Sequence, residues 1–331
     1  MASHHSRPSP LLLAVVAVSA VLSGCAVQIP PPLTHAAAAP RSPTPPPTPQ
    51  PWFRLNVASG RIAFWAPGVM PSGAPPMTAK AGILVDLDTG EILWERNPHL
   101  ALAPASTTKV LTSLVALENF SPDRSITVTS DALGQSRADT LMGLKAGETF
   151  TLTELLEGML LPSGDDAASA IAVDTVGLTR FVATMNAQVA ALGLDDSHFS
   201  NTSGLDAPGL RASAYDLAGI AAFTYDNFPV FDQIVDTSSV KLPASPDHPA
   251  FHLRNLDALL GDYPSAVGIK PGWTGDAGAC LIGMAVRNGH RLVAVLLNAV
   301  YPARLEARLL DWGFSVEGMP LLLPPTPTPA P

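Results

Sequence analysis

Ser106 and Lys109 stand three residues apart in PASTTKVLTSLVALENF. On a helix that spacing puts both side chains on one face, about 5 to 6 Å between Cβ atoms. A lysine amine so placed can take the proton of the serine hydroxyl and turn it into a nucleophile, provided the amine is neutral. Neutrality requires lowering a reference pKa near 10.4 by burial or by neighbouring positive charge. The same Ser-x-x-Lys pattern recurs at Ser238 and Lys241, where it runs into LPASPDHP and reads as a loop coincidence. Two more stretches carry chemistry-bearing types: Ser163-Gly164-Asp165, and Lys270-Pro271-Gly272 followed by Trp273 and Thr274. Taken singly, each reads as a turn or a strand end. Pro271 is the odd residue, because a proline in a strand has no N–H for the ladder.

The elements that must position these residues follow from periodicity. AGILVDLDTGEILWERN alternates on either side of Asp88-Thr89-Gly90 and predicts a hairpin. Val110, Leu111, Leu114, Val115 and Leu117 recur at helical spacing, so a helix opens near Ser106. TLTELLEGMLLPSGDDAASAIAVDTVG gives two helices broken at Pro162-Ser163-Gly164, and LTRFVATMNAQVAALGL gives another. Ser213 to Asp216 resembles a capping box before LAGIAAF, with Asp in the place of Glu or Gln. GIKPGWTGDAGACLIGMAVRNGHRLVAVLLNAV reads as three strands, the last two joined at Asn288-Gly289, and PARLEARLLDWGF as a closing helix. The order predicts an α+β fold, an antiparallel sheet flanked by helices.

In this order and context, the three short motifs resemble the S-x-x-K, S-x-N and K-T-G set of the penicillin-recognising serine enzymes. The flanking segments LKAGETFTLTELLEGMLLPSGDDAASAIA, NTSGLD, SAYDLA and GIKPGWTGDAGACLIG look like those of the D-alanyl-D-alanine carboxypeptidase family, over roughly residues 78 to 315. The resemblance implies a β-lactamase/DD-peptidase-like fold, a central antiparallel sheet with a mostly helical subdomain and the site between them. It implies that Ser106, activated by Lys109, is acylated by a peptidoglycan stem peptide ending in D-Ala-D-Ala, with Ser163 relaying a proton or holding the lysine. Lys270 would face the terminal carboxylate, Asp165, Gly272, Trp273 and Thr274 would complete the substrate site, and the N–H groups of Ser106 and Trp273 would form an oxyanion hole. β-Lactams would acylate the same serine.

Two positions depart from that pattern. Asp165 stands where the family has Asn, whose amide can donate as well as accept; an ionised carboxylate only accepts and would stabilise the lysine as ammonium. Pro271 stands where the family has Thr, and supplies neither hydroxyl nor N–H. A proline fits there if the strand's open edge faces the cleft. Thr274 and a nearby arginine are the candidates for the missing carboxylate contact. These departures keep open a degenerate, weakly active or purely binding member of the family. A class A β-lactamase is less favoured, because no glutamate lies between Glu157 and Glu306 to drive deacylation.

The termini and composition bound the rest. LLLAVVAVSAVL followed by Ser23-Gly24-Cys25 predicts a signal peptide over 1–24, with Cys25 as a lipidation site and the mature protein outside the cytoplasm. Ten prolines between Pro30 and Pro51 predict an extended linker over 25–77, with the stretch from Trp52 to Val69 left open between linker and domain, a catalytic domain over 78–318 and a proline-rich tail over 319–331. A formal net charge of -9 without a basic run argues against nucleic acid as a partner. The histidines fall in no ligand-like spacing, so neither a metal nor another cofactor is expected. Cys280, in an apolar run, reads as an inert buried thiol.

Overall fold

The computed structural model describes residues 61–135 and 140–324. The expected lipidation site Cys25, the signal peptide, the Pro30–Pro51 spacer and the last residues of the tail lie outside them. In chain order the elements begin with β1 (Ala79–Asp86), β2 (Ile92–Arg96), a 3-10 turn (Ala105–Thr107) and α1 (Thr108–Asn119). The middle holds β3 (Ser125–Thr127), α2 (Ser130–Gln135), β4 (Thr149–Thr151), α3 (Leu152–Leu160), α4 (Asp165–Val173) and α5 (Leu178–Ala191). Next come α6 (Ala214–Asn227), α7 (Pro229–Val235), β5 (Ser239–Leu242), β6 (Phe251–Arg254) and α8 (Leu259–Asp262). The chain closes with β7 (Ala266–Thr274), β8 (Gly278–Arg287), β9 (His290–Ala299) and α9 (Pro302–Val316).

The main sheet is antiparallel and five-stranded in the order β2-β1-β9-β8-β7. Both expected hairpins form. In the first, Asp86 caps the turn by accepting from Asp88 N and Thr89 Oγ1, each at 2.8 Å. In the second, Asn288 and Gly289 both take positive φ, +53° and +83°, the type I′ turn that an Asn-Gly pair favours. The expected alternation in β1 is overridden: seven of its eight residues are buried, because helices cover both faces. Leu84, Leu292, Leu296 and Leu281 pack under α9 with Leu309, Leu310 and Phe314, while Ile83, Val293, Val295 and Ile282 join the core with α1 and α6.

Several expectations are corrected. Ile62 and Phe64 are buried in the core, Ile62 N donates to Leu192 O, and Trp65 bridges to Glu91, so residues 61–77 pack on the domain instead of forming linker. At the other end Leu322 N and Leu323 N donate to the Asp311 carboxylate, so packing extends past residue 318. The capping box sits at Thr151 and Glu154, where both reciprocal bonds form. At Ser213 only half of a box exists: Ser213 Oγ accepts from Asp216 N, while Asp216 Oδ2 accepts from Asp196 N and Ser213 N turns to Ser197 Oγ. In the Ser238/Lys241 copy, Ser238 sits at the bend before β5 and Lys241 lies on that strand, exposed, so the lysine belongs to a strand and not to a loop.

Candidate active site

The 3-10 turn that opens α1 places Ser106, and it does so through a strained residue. Ala105 has φ +51°, a left-handed conformation that costs a non-glycine residue roughly 1–2 kcal/mol. The turn is boxed in on two sides. A Cβ on Gly204 would come within 1.8 Å of Ala105 O, and one on Gly272 within 2.7 Å of Ser106 N. Glycine is required at both positions by that close approach, and Gly272 thereby brings β7 against Ser106.

One helical turn further on, Lys109 is wholly buried, with Nζ 3.0 Å from Ser106 Oγ, 3.3 Å from Ser163 Oγ and 3.0 Å from Ser203 O. Ser163 reaches it from the break between α3 and α4, itself at φ +63°. Asp165 Oδ1 lies 2.7 Å from Nζ, a buried ion pair. Burial pushes the Lys109 pKa down, and the Asp165 carboxylate opposes that shift; the balance favours the neutral amine more than in water. Lys270 is also fully buried and its pKa is pushed down to about 7, first by burial and then by the charge of Lys109. Its Nζ lies 3.3 Å from Pro271 O.

Ser106, Ser163, Asp165, Lys270, Gly272 and Trp273 share one cleft of about 520 Å³. β7 is the terminal strand, with β8 on one side only, so the Pro271 expectation of an open edge at the cleft is met. Trp273 is 67% exposed at the rim. Thr274 is the exception among the expected residues. Its hydroxyl donates to Asp206 Oδ1 at 2.6 Å and accepts from Ala277 N, so it fixes the turn after β7 and does not line the cleft.

Sequence reasoning missed several contributors. In NTSGLD, Asn201 accepts from Ser203 N and Gly204 N and thereby holds the turn that aims Ser203 O at Lys109, while Asp206 holds Thr274. Asp166 accepts from the N–H groups of Met142, Gly143 and Leu144, fixing the strand-less segment beside Thr140. The side-by-side acids of SGDD hid this division of labour. Cys280 lines the cleft as a buried thiol whose pKa is pushed up to about 11 by burial, which keeps it protonated. On α9, Arg304 lines a second cavity that shares Leu256, Pro271 and Pro302 with the cleft.

Residues 69–300 match the family described as D-alanyl-D-alanine carboxypeptidase. The chain is 38% identical to D-alanyl-D-alanine carboxypeptidase DacB2 of Mycobacterium tuberculosis, over 76% of this chain and 89% of that protein. It is 35% identical to DacF of Bacillus subtilis, over 72% of this chain but only 62% of the relative. Among solved structures, the D-alanyl-D-alanine carboxypeptidase of Mycobacterium tuberculosis H37Rv superposes with a TM-score of 0.68 at 35% identity, covering 75% of this chain and 96% of that one. The Streptomyces K15 DD-transpeptidase does so with the same TM-score, 0.68, at 28% identity, covering 73% and 99%. With the family match spanning residues 69–300 and a relative 38% identical over most of both chains, the chain belongs to the D-alanyl-D-alanine carboxypeptidase family of serine peptidases.

Proposed function

We propose that the protein removes the terminal D-alanine from peptidoglycan stem peptides through an acyl-enzyme on Ser106, and that β-lactams inhibit it by acylating the same oxygen. The carrying observation is the 3.0 Å contact of Ser106 Oγ with the buried amine of Lys109. Neutral Lys109 takes the hydroxyl proton as Oγ bonds to the carbonyl carbon between the two D-alanines. The N–H groups of Ser106 and Trp273 donate to the carbonyl oxygen as negative charge develops on it. As the C–N bond breaks, the proton passes to the leaving amine, with Ser163, 3.3 Å from Lys109, as the relay. Water then attacks the ester, gives a proton to Lys109, and Ser106 is restored. Lys270 and Arg304 hold the substrate's terminal carboxylate, in place of the hydroxyl that Pro271 lacks.

The 2.7 Å ion pair of Lys109 with Asp165 favours a second reading, a penicillin-binding member that turns over slowly. Labelling with a fluorescent penicillin, alongside D-alanine release from a stem pentapeptide, separates the two. Serine-dependent labelling, lost in Ser106→Ala, together with D-alanine release supports the first reading. Labelling without release supports the second, and absence of both removes the acyl-enzyme altogether. The LSGC stretch and its proline-rich spacer support a further part of the proposal, that the protein works outside the cytoplasm on a lipid anchor at Cys25. Loss of membrane association in Cys25→Ala tests that part.

A further inference from the structure

Lys109 has a counter-charge in Asp165, 2.7 Å away, whereas the Nζ of Lys270 donates to a neutral group, Pro271 O, at 3.3 Å. A wholly buried ammonium stays charged only if an anion offsets its desolvation. Two buried acids that the proposed reaction does not use lie on the far side of β7: Asp257, 5% exposed, and Glu306, 0% exposed.

The segment 255–258 is pinned along the open edge of β7. Asn255 Nδ2 donates to Val235 O and Thr237 O at 3.1 and 3.0 Å, Leu256 N donates to Leu161 O, and Asp257 N donates to Asn255 Oδ1 at 2.9 Å. Val235 in turn lies against β7, where a Cβ on Gly268 would come within 2.9 Å of Val235 O. Leu256 and Pro271 line both the cleft and the second cavity, so the segment passes the strand beside Lys270. Asp257 Oδ1 accepts from Leu259 N at 2.9 Å, while Oδ2 is buried without a hydrogen-bond partner.

The two acids divide their protonation states. Glu306 packs over Gly283 beside Leu259, and burial followed by the charge of Asp257 holds its pKa well above the usual carboxylate range, so it is a neutral acid. Burial raises Asp257 only to about 6, because Leu259 N–H and Lys270 favour its ionised form, so at pH 7 it is an anion. Asp262 on α8 and Arg304 on α9 border the same cavity but are exposed. Among the groups that face Lys270, Lys109 opposes its charge, and Asp257 supports it more strongly than Asp165 does.

Resting on the function proposed above, in which Lys270 receives the substrate's carboxylate, we propose that Asp257 is the positioning residue for that lysine: from beyond the open edge of β7 its carboxylate is the counter-charge that keeps the buried amine protonated into the neutral range. Asp257 itself touches no substrate. It sets how much of Lys270 is charged where Pro271 offers no hydroxyl.

Asp257→Asn tests this, since an amide oxygen can still accept from Leu259 N while the charge is gone. The chain has five lysines, Lys80, Lys109, Lys145, Lys241 and Lys270, so ¹³Cε NMR can follow each titration, with Lys270→Arg assigning its signal. Lys270 should titrate near 7 in the wild type and about one unit lower in Asp257→Asn. The falling limb of kcat/KM for a stem pentapeptide ending in D-Ala-D-Ala should move to lower pH by the same amount. Above both limbs that is a loss of about tenfold, carried by KM, while the C-terminal amide substrate stays within about twofold. Asp257→Ser, which can also accept from Leu259 N, should reproduce the shift, and Glu306→Gln, which matches a neutral acid, should leave it at the wild-type position. A Lys270 titration unmoved in both Asp257 variants overturns the proposal alone, as does an equal shift in Glu306→Gln. A wild type that releases no D-alanine overturns the carboxypeptidase reading and this role with it.

Discussion

The sheet carries a charged cluster toward each of its ends, and the two solve opposite problems. At the hairpin end, Asp86 and Asp88 meet His290, whose ring contacts both carboxylates, and Arg291 pairs with Asp226. These groups keep some contact with water: the side chains of His290 and Asp88 are 20% and 15% exposed. The cluster ties the β1–β2 turn to the β8–β9 turn and to α6. At the cleft end, Lys109 and Asp165 are 0% and 3% exposed, and a second buried lysine faces the same space. In the first cluster, burial raises the Asp88 pKa and the neighbouring His290 opposes that shift. Full burial sets desolvation against the carboxylate at Lys109, and that contest decides whether the amine can act as a base.

The comparison breaks most sharply at Lys109. Lys109→Met should lower the rate of penicillin acylation by about 10²–10⁴, the usual worth of a general base. It should also destabilise the fold by about 3–5 kcal/mol, because Asp165 is left buried without its cation. Urea unfolding of Lys109→Met/Asp165→Leu should recover most of that stability and none of the activity. If the single variant is as stable as the wild type, the ion pair is not formed.

Asp165→Asn acts on the same contest with a smaller effect. Acylation needs the neutral amine, so its rate rises with pH through the Lys109 pKa. Removing the carboxylate, which opposes the burial shift, moves that rise to lower pH; a shift of about one unit gives about tenfold faster acylation on the rising limb. Stopped-flow acylation rates across pH check the direction, and an unchanged limb would detach Asp165 from the base. Lys270 sets the other limb. With its pKa near 7 in the free protein, it loses its charge as pH rises through that value, and kcat/KM for a substrate bearing a terminal carboxylate should fall there. The same substrate as its C-terminal amide should show no such fall.

How far the sequence reaches is visible at particular residues. The Asn288-Gly289 hairpin, the helix opening at Ser106 and the break at Ser163 were legible, because local turn chemistry and periodicity decide them. The motif pieces were legible as a set. What was not legible depends on distant contacts: Ser203 O reaches Lys109 only because Asn201 folds its own turn, and Thr274 is withdrawn because Asp206, 68 positions away, captures its hydroxyl. The domain's start was missed for a similar reason. Ile62 and Phe64 sit in sequence beside a proline-rich stretch, yet they are buried against the domain. The hairpin-end cluster was also invisible, since its members come from β1, its turn, α6 and the start of β9 and share no spacing.

Pro271→Thr tests the cleft end more gently. A restored hydroxyl at the open edge would supply one charge-assisted hydrogen bond, about 1.5–3 kcal/mol at most. On the proposed function Lys270 and Arg304 already provide part of that, so KM should fall about three- to tenfold with kcat little changed. A change in kcat alone would mean that the proline shapes the oxyanion hole and not the carboxylate site.

The smallest effect on activity is expected at the other end of the sheet. Arg291→Met removes the cation that Asp226 pairs with and should cost up to about 3 kcal/mol of stability by urea unfolding. Acylation of the folded protein should stay within twofold of the wild type. The register explains why: along β8, the residues that face the cleft pair with Gly272 and Trp273 at Cys280 and Ala279, whereas Arg291 pairs with Val286 near the opposite end. A rate that falls with stability would show that the two clusters communicate through the strand they share. A rate that holds would show that the sheet isolates the base from the charges that brace it.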